Sequence, residues 1–162
     1  MMKKLKKGVK FHKIESAFRW CRELGIITVA DYIIGLPWEK NAADIKRSVN
    51  SLISLDPDYA QMSILKLYPN TALYDQAVES GVIEEGRWQQ FAMNPSPDFL
   101  VDHWDQFMDI YEMVRIQKKA YRRFYYRPKY ILRSLINTRS CYEFSSKISG
   151  ALRLLRTNER MA

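Results

Sequence analysis

The sequence is poor in residues that bind metals or form disulfides. Its 162 residues include two cysteines and two histidines. Because Cys21 and Cys141 lie far apart, the sequence excludes a disulfide framework and the cysteine-cluster zinc motifs, which need CxxC-type spacing. Reduced, incidental thiols of a cytoplasmic protein are the expected interpretation. No metal ligand is predicted.

Long apolar segments are also missing. The longest runs from Ile26 to Trp38 and is interrupted by Asp31 and Pro37, so it is not predicted to span a bilayer. The N-terminal MMKKLKKGVKFHK has the charge of a signal-peptide n-region, but no apolar h-region follows it. We therefore predict a cytoplasmic location.

Charge is unevenly distributed along the chain. Residues 1–13 contain six lysines and no acid, residues 115–162 carry a net charge of +11, and residues 14–114 carry −9. Two basic ends on an acidic body indicate either contact with nucleic acid or an anionic membrane, or simply solvated helix faces. We favour solvated helix faces.

The first half of the chain shows alternating helix and strand patterns. Residues 13–24 and 42–55 have the apolar spacing of amphipathic helices, and Asn41 is placed to cap the second. Residues 27–35 are nearly all apolar, which predicts a strand buried on both faces, and 59–67 predict a second strand. This order is typical of βαβ units with a parallel sheet. Two strands are few for such a sheet, so further strands are expected upstream.

The second half is predicted to be helical. A short helix at 71–80 is followed by a short helix and a proline-bearing loop within 84–99. A long helix is predicted from 102 to 126, ending before Pro128, which cannot supply the next helical N–H. A final helix is predicted at 129–136.

Two segments resemble a known family. GIITVADYIIGLPWEK and DPDYAQMSILKLYPNTALYDQAVESGVI are similar to the C-terminal half of a radical SAM (S-adenosylmethionine) domain, in its cobalamin-linked branch. Their turns at 35–39 and 68–71 resemble those after the fifth and sixth barrel strands. The resemblance implies an α/β fold: a partial parallel (β/α) barrel at 1–83, an α-helical C-terminal extension at 84–137 and a low-signal tail at 138–162.

The resemblance also implies a chemistry. Family members cleave SAM reductively at a 4Fe-4S cluster and start a radical reaction on an unactivated carbon, often with cobalamin. The CxxxCxxC loop that holds the cluster is absent from this sequence. The chain is therefore expected to be a truncated or split segment, inactive and free of these cofactors when alone, and without a catalytic residue of its own.

The first of the two turns supplies the expected SAM-binding residues. Ile33 and Ile34 would lie beside the adenine, and Gly35 would allow close approach of the backbone. By the resemblance, the cofactor-binding set is Ile33, Ile34, Gly35, Leu36, Pro37 and Glu39. Glu39 is expected to orient the loop or to accept a hydrogen bond from it, and a strand-end turn without a ligand is the alternative.

Three further positions bear on this region. Trp38 and Asn70 stand where the family has glycine; tryptophan resists a positive φ, whereas asparagine tolerates it. Asp31 is expected either to face the barrel interior or to be a partnered polar group near the rim, and we favour the second.

Other functions remain open from the sequence. Basic and aromatic residues alternate in one C-terminal stretch, which suits either a nucleic-acid or membrane-binding module or a structural cap, and the cap is favoured. They are Lys118, Lys119, Tyr121, Arg122, Arg123, Phe124, Tyr125, Tyr126, Arg127, Lys129 and Tyr130. A polypeptide that supplies missing strands, or self-association through an exposed sheet edge, are the expected partnerships; nucleic acid and membranes are not expected partners.

Overall fold

The computed structural model describes residues 8–136 and the isolated positions 145 and 149. Six helices and two strands are present in this part of the chain. In chain order they are α1 (Phe11–Glu23), β1 (Val29–Ile34), α2 (Ala42–Leu55), β2 (Tyr59–Ile64), α3 (Ala72–Glu79), α4 (Arg87–Met93), α5 (Ile110–Tyr125) and α6 (Pro128–Ile136).

Local sequence signals set the starts of α2 and α3. The Asn41 side chain accepts hydrogen bonds from the backbone N–H groups of Ala43 and Asp44, so α2 begins where the cap predicts. Thr71 caps α3 in the same way, through the N–H of Tyr74. The predicted elements of the first half are thus confirmed, with shifts of a few residues at their ends.

The start of the long helix was wrongly predicted. Its cap is Asp109, whose side chain accepts a 2.7 Å hydrogen bond from the N–H of Glu112. The preceding residues, 101–109, are irregular, and Trp104 within them is buried. An apolar residue ahead of the cap contributes to the core without belonging to the helix.

The two strands are parallel and in register, with Val29 opposite Tyr59 and Ile34 opposite Ile64. The side chains of Ala30 and Ile34 are buried, whereas Val29 and Ile33 on the other face of β1 are exposed. The prediction that β1 is buried on both faces is therefore wrong. In the described residues the sheet has two strands, and the predicted partial barrel is corrected to a small parallel sheet flanked by helices.

Helix α5 covers the outer edge of β2. The Tyr125 hydroxyl lies 3.1 Å from the N of Ala60 and 2.9 Å from its O, accepting from the first and donating to the second. The Tyr121 hydroxyl makes the same two contacts with Met62, at 2.9 and 3.2 Å. Since Tyr121 and Tyr125 are four residues apart on one helix face, they match alternate residues of the strand. A further strand cannot pair with β2 here, which is the physical reason that this side does not continue as a barrel.

Two apolar clusters hold the helices to the sheet. The larger joins the buried faces of β1, β2 and α2 to α5, and Phe124 and Met113 are fully enclosed in it. The smaller lies beyond the carboxyl ends of the strands and includes Leu36, Leu67 and Trp104.

Asp56 connects several basic side chains at the end of α2. It adopts a left-handed φ of 51° and lies 3.1 Å from the ammonium of Lys129 and 3.1 Å from the guanidinium of Arg133. Arg22 and Arg127 are also within 4.0 Å. One carboxylate therefore ties α1 and α6 to the turn between α2 and β2.

The proposed division of the chain at residue 83 stays a prediction. The tail predicted at 138–162 lies outside the described residues, except for positions 145 and 149. No helix of the described part is long and apolar enough to cross a membrane. The cytoplasmic location also stays a prediction.

Candidate functional site

The turn after β1 is organised around one buried carboxylate. Gly35 has a φ of 79°, a region that glycine enters without strain. One oxygen of Glu39 accepts hydrogen bonds from the N–H groups of Gly35 (2.8 Å) and Leu36 (3.1 Å). Its other oxygen accepts from the Ser48 hydroxyl of α2. Glu39 is 2% exposed, so these donors supply the contacts that water would otherwise make.

Tyr32 extends this polar network beneath the sheet. The pKa of Tyr32 is raised to about 12, and burial is the main cause. The hydrogen bond with Ser48 lowers this pKa in part, and the nearby Glu39 charge raises it further. The phenol is therefore neutral at physiological pH. It links β1 to α2 through the same serine that donates to Glu39.

Most of the six predicted SAM-binding residues lie in the interior. Ile34 and Leu36 are buried in the two apolar clusters, and a Cβ on Gly35 would collide with the Met113 side chain. The Ile34 carbonyl accepts from the N–H of Leu65 at 2.8 Å. Pro37 is partly exposed, and Ile33 is 48% exposed on the opposite face. The turn uses its amides internally, and Ile33 is the member whose side chain faces outward from the sheet.

The open face of the sheet brings together residues from both strands. Asp31 lies opposite Gln61, and Ile33 lies opposite Ser63, and all four are exposed. Val29 and Tyr59 complete this face, so apolar and hydrogen-bonding side chains alternate along it. Sequence reasoning missed Gln61 and Ser63, although the alternation of polar and apolar residues in YAQMSI is the signal of a half-exposed strand. Asp31 belongs to this face.

Two polar residues, Asp102 and His103, lie beyond the end of β2. The Asp102 carbonyl accepts from the N–H of Leu67 at 2.8 Å, and its carboxylate meets Arg87 at 2.9 Å. The other carboxylate oxygen of Asp102 and the Nε2 atom of His103 are buried without a hydrogen-bond partner within the described part of the chain. Sequence patterns placed these residues inside a helix.

Four aromatic residues of α5 and α6 pack against the core: Tyr121, Phe124, Tyr125 and Tyr130. Phe124 is fully buried, and the Tyr130 hydroxyl donates to the Asp58 carbonyl at 3.0 Å. The Arg127 guanidinium lies 4.4 Å from the Phe124 ring centre. These contacts agree with the structural interpretation of this stretch, which stays a prediction.

The turn after β2 also has a structural role. Asn70 has a φ of 62°, as its tolerance of that region predicts, and the Thr71 hydroxyl donates to the Tyr68 carbonyl at 2.8 Å. The Tyr68 ring packs 5.6 Å from the Trp88 ring. Trp38 avoids a positive φ.

Metal-binding side chains are dispersed in the described part. No group of three or more His, Cys, Asp or Glu residues lies close enough there to hold a metal ion. Cys21 is a free thiol on α1.

Comparison with known proteins identifies one informative relative. No family model matches the chain, and no solved structure matches it. A protein of Pyrococcus horikoshii, described as an uncharacterized methyltransferase, is 24% identical over 148 residues. The match covers 91% of this chain and 31% of the relative, so the chain spans about a third of the length of the protein it matches.

These findings correct the expected family. The relative is described as a methyltransferase, and no radical SAM family model matches. The predicted assignment to a radical SAM fragment is therefore overturned, and the 4Fe-4S cluster and cobalamin that came with it are without support. The physical reason for the error is that βαβ units with glycine-containing turns after the strands occur in many α/β folds.

Proposed function

We propose that this chain is part of an SAM-dependent methyltransferase and that SAM lies against the open face of its sheet. The observation that carries the proposal is the 24% identity to a methyltransferase over 91% of the chain. SAM-dependent methyltransferases bind SAM as the methyl donor, and the methyl group then leaves its sulfonium for an acceptor.

The open face has the chemistry that a nucleoside ligand requires. Ligand sites combine apolar surface with a few polar groups that fix orientation. Val29 and Ile33 offer apolar contact for an adenine ring, and the Asp31 carboxylate can accept hydrogen bonds from ribose hydroxyls, as acidic residues do in other nucleotide-binding α/β proteins. Ser63 adds a hydroxyl donor on the neighbouring strand.

The turn from Gly35 to Glu39 supports this site without forming most of it. Glu39 fixes the end of β1 through the Gly35 and Leu36 amides, and so fixes where Ile33 is presented. The cofactor-binding set of the sequence stays a proposal, with Ile33 as the contact residue and Glu39 as a positioning residue.

The proposal is tested by titrating SAM into the chain while recording backbone amide resonances. We expect shifts concentrated on residues 29–33 and 59–63, and weak binding, because partial contacts must first offset a loss of ligand freedom of about 4–15 kcal/mol. Asp31→Asn is expected to weaken the shifts. Asp105→Asn, a change at another exposed carboxylate, is the matched control. Shifts confined to α5 and α6, or none at millimolar SAM, would contradict the proposal.

A further inference from the structure

In the described residues, helix α5 covers one edge of the sheet, and the other edge has no neighbouring element paired to it. The outward N–H and C=O groups of Ala60 and Met62 on β2 meet tyrosine hydroxyls of α5. On the other side, β1 pairs with β2 alone in the described residues. Among residues 8–136, the sheet therefore has one closed edge and one open edge.

The hydrogen-bond pattern identifies the groups at the open edge. The N–H of Tyr59 donates to the Thr28 carbonyl, and that of Leu65 donates to the Ile34 carbonyl. Alternate residues of a strand direct their backbone groups to opposite edges. The N–H and C=O groups of Val29, Asp31 and Ile33 consequently point away from β2, and in the described part of the chain they have no hydrogen-bond partner.

Apolar side chains flank this edge. Leu24 and Ile27, in the segment between α1 and β1, are 75% and 72% exposed. Val29 and Ile33 are exposed on the strand itself. Unpaired backbone groups beside exposed apolar residues are the features of a strand that accepts another strand.

We propose that β1 accepts a β-strand from a polypeptide segment that is not a second copy of β1. In this strand, apolar residues lie opposite Val29 and Ile33, and a basic residue lies opposite Asp31. Charge argues against a second copy of β1. An antiparallel self-pairing that uses all three outward residues is centred on Asp31 and places two carboxylates directly opposite each other, which is destabilising. The matched relative is about three times as long as the region it shares with this chain, so most of that protein lies outside the shared region.

The test is amide hydrogen exchange on the whole chain, alone and with a strand attached. A seven-residue strand of valines with a central lysine is joined to the N-terminus through a flexible glycine-serine linker, which gives a millimolar effective concentration. In the chain alone we expect fast exchange at Val29, Asp31 and Ile33 and slow exchange at Ala60 and Met62. The attached strand is expected to slow exchange at the three β1 amides by about tenfold or more.

Two matched variants make the result specific. A glutamate in place of the central lysine is expected to protect roughly twofold to fivefold less, because it faces Asp31. Ile33→Pro removes an N–H that points away from β2, so it is expected to abolish protection while the β1–β2 ladder persists; Ile33→Thr keeps the donor and is its control. Circular dichroism confirms that each variant is folded.

Three outcomes would overturn the proposal. Unchanged exchange in the extended chain would show that the edge does not accept a strand. Equal protection by the lysine and glutamate strands would remove the assigned partner chemistry. Concentration-dependent dimers of the chain alone, with protection at Asp31, would make a second copy the occupant.

Discussion

Replacing Glu39 separates hydrogen bonding from charge in the turn after β1. A single oxygen of Glu39 accepts from both Gly35 and Leu36, and the other accepts from Ser48. Glu39→Ala leaves two buried N–H groups without an acceptor. Each costs about 1–3 kcal/mol, so the free energy of unfolding is expected to fall by about 2–6 kcal/mol.

Glu39→Gln is the informative comparison. Its amide oxygen can accept from both N–H groups, and its NH₂ can donate to the Ser48 hydroxyl, which then acts as acceptor. The expected loss is about 1 kcal/mol, and Ser48→Ala is expected to cost about 1–2 kcal/mol, since the two backbone donors stay paired.

Equilibrium urea denaturation followed by circular dichroism measures these changes. Glu84→Ala, an exposed carboxylate, is the control and is expected to stay within about 0.5 kcal/mol of the parent chain. Equal losses for Glu39→Gln and Glu39→Ala would show that the charge, and not the pairing of the amides, stabilises the turn. A loss below about 1 kcal/mol for Glu39→Ala would show that the Gly35 and Leu36 amides do not depend on this carboxylate.

The tyrosine contacts, the Asp56 ion pairs and the Tyr32 phenol give three more expected outcomes. Tyr121→Phe and Tyr125→Phe are each expected to lower the free energy of unfolding by about 1–3 kcal/mol, whereas Tyr111→Phe, 81% exposed on the same helix, is expected to have little effect in urea denaturation. Burial raises the pKa of Asp56, but Lys129 and Arg133 outweigh it and hold the pKa below its ordinary value. Asp56 therefore contributes to the free energy of unfolding above about pH 4, and this contribution is lost as pH falls. Asparagine tolerates the left-handed φ, so Asp56→Asn should flatten the acid limb of a plot of urea midpoint against pH. An unchanged acid limb would contradict this. Because the pKa of Tyr32 is raised, its contribution to the free energy of unfolding is complete below about pH 10 and is lost as pH rises through about 12. Tyr32→Phe should therefore flatten the alkaline limb of the same plot. Identical alkaline limbs for the variant and the parent chain would count against this role of Tyr32.

The elements of the fold were predictable because their signals are local. Asn41 and Thr71 fix the starts of two helices through hydrogen bonds to residues two or three positions later. The apolar spacing of α2 places Ile45 and Val49 in the core as expected. The start of α5 was missed because Trp104 was counted with the apolar positions of the helix. Trp104 instead precedes the helix and packs in the cluster beyond the strand ends.

The candidate site was predictable only in part. The Gly35 turn was identified from its residues, and its position after β1 is confirmed. The contact of the Glu39 carboxylate with the turn was among the expected roles, and the structure shows it. The contact with Ser48 of α2 was not expected, because it depends on the packing of α2 against β1. The open face required the pairing of two strands separated by a helix, which no local pattern reports.

Residue patterns alone were enough to predict the order of helices and strands, the parallel βαβ connection, the caps of α2 and α3 and the small number of metal-binding side chains. These depend on residue spacing and on contacts within a few positions. The buried face of β1 depends on tertiary packing, as does the closure of one sheet edge by Tyr121 and Tyr125, while the other edge is unpaired among the described residues. A tyrosine on a helix has the same local preferences whether its hydroxyl meets water or a strand 59 to 65 residues away, so this distinction arises only when the elements pack.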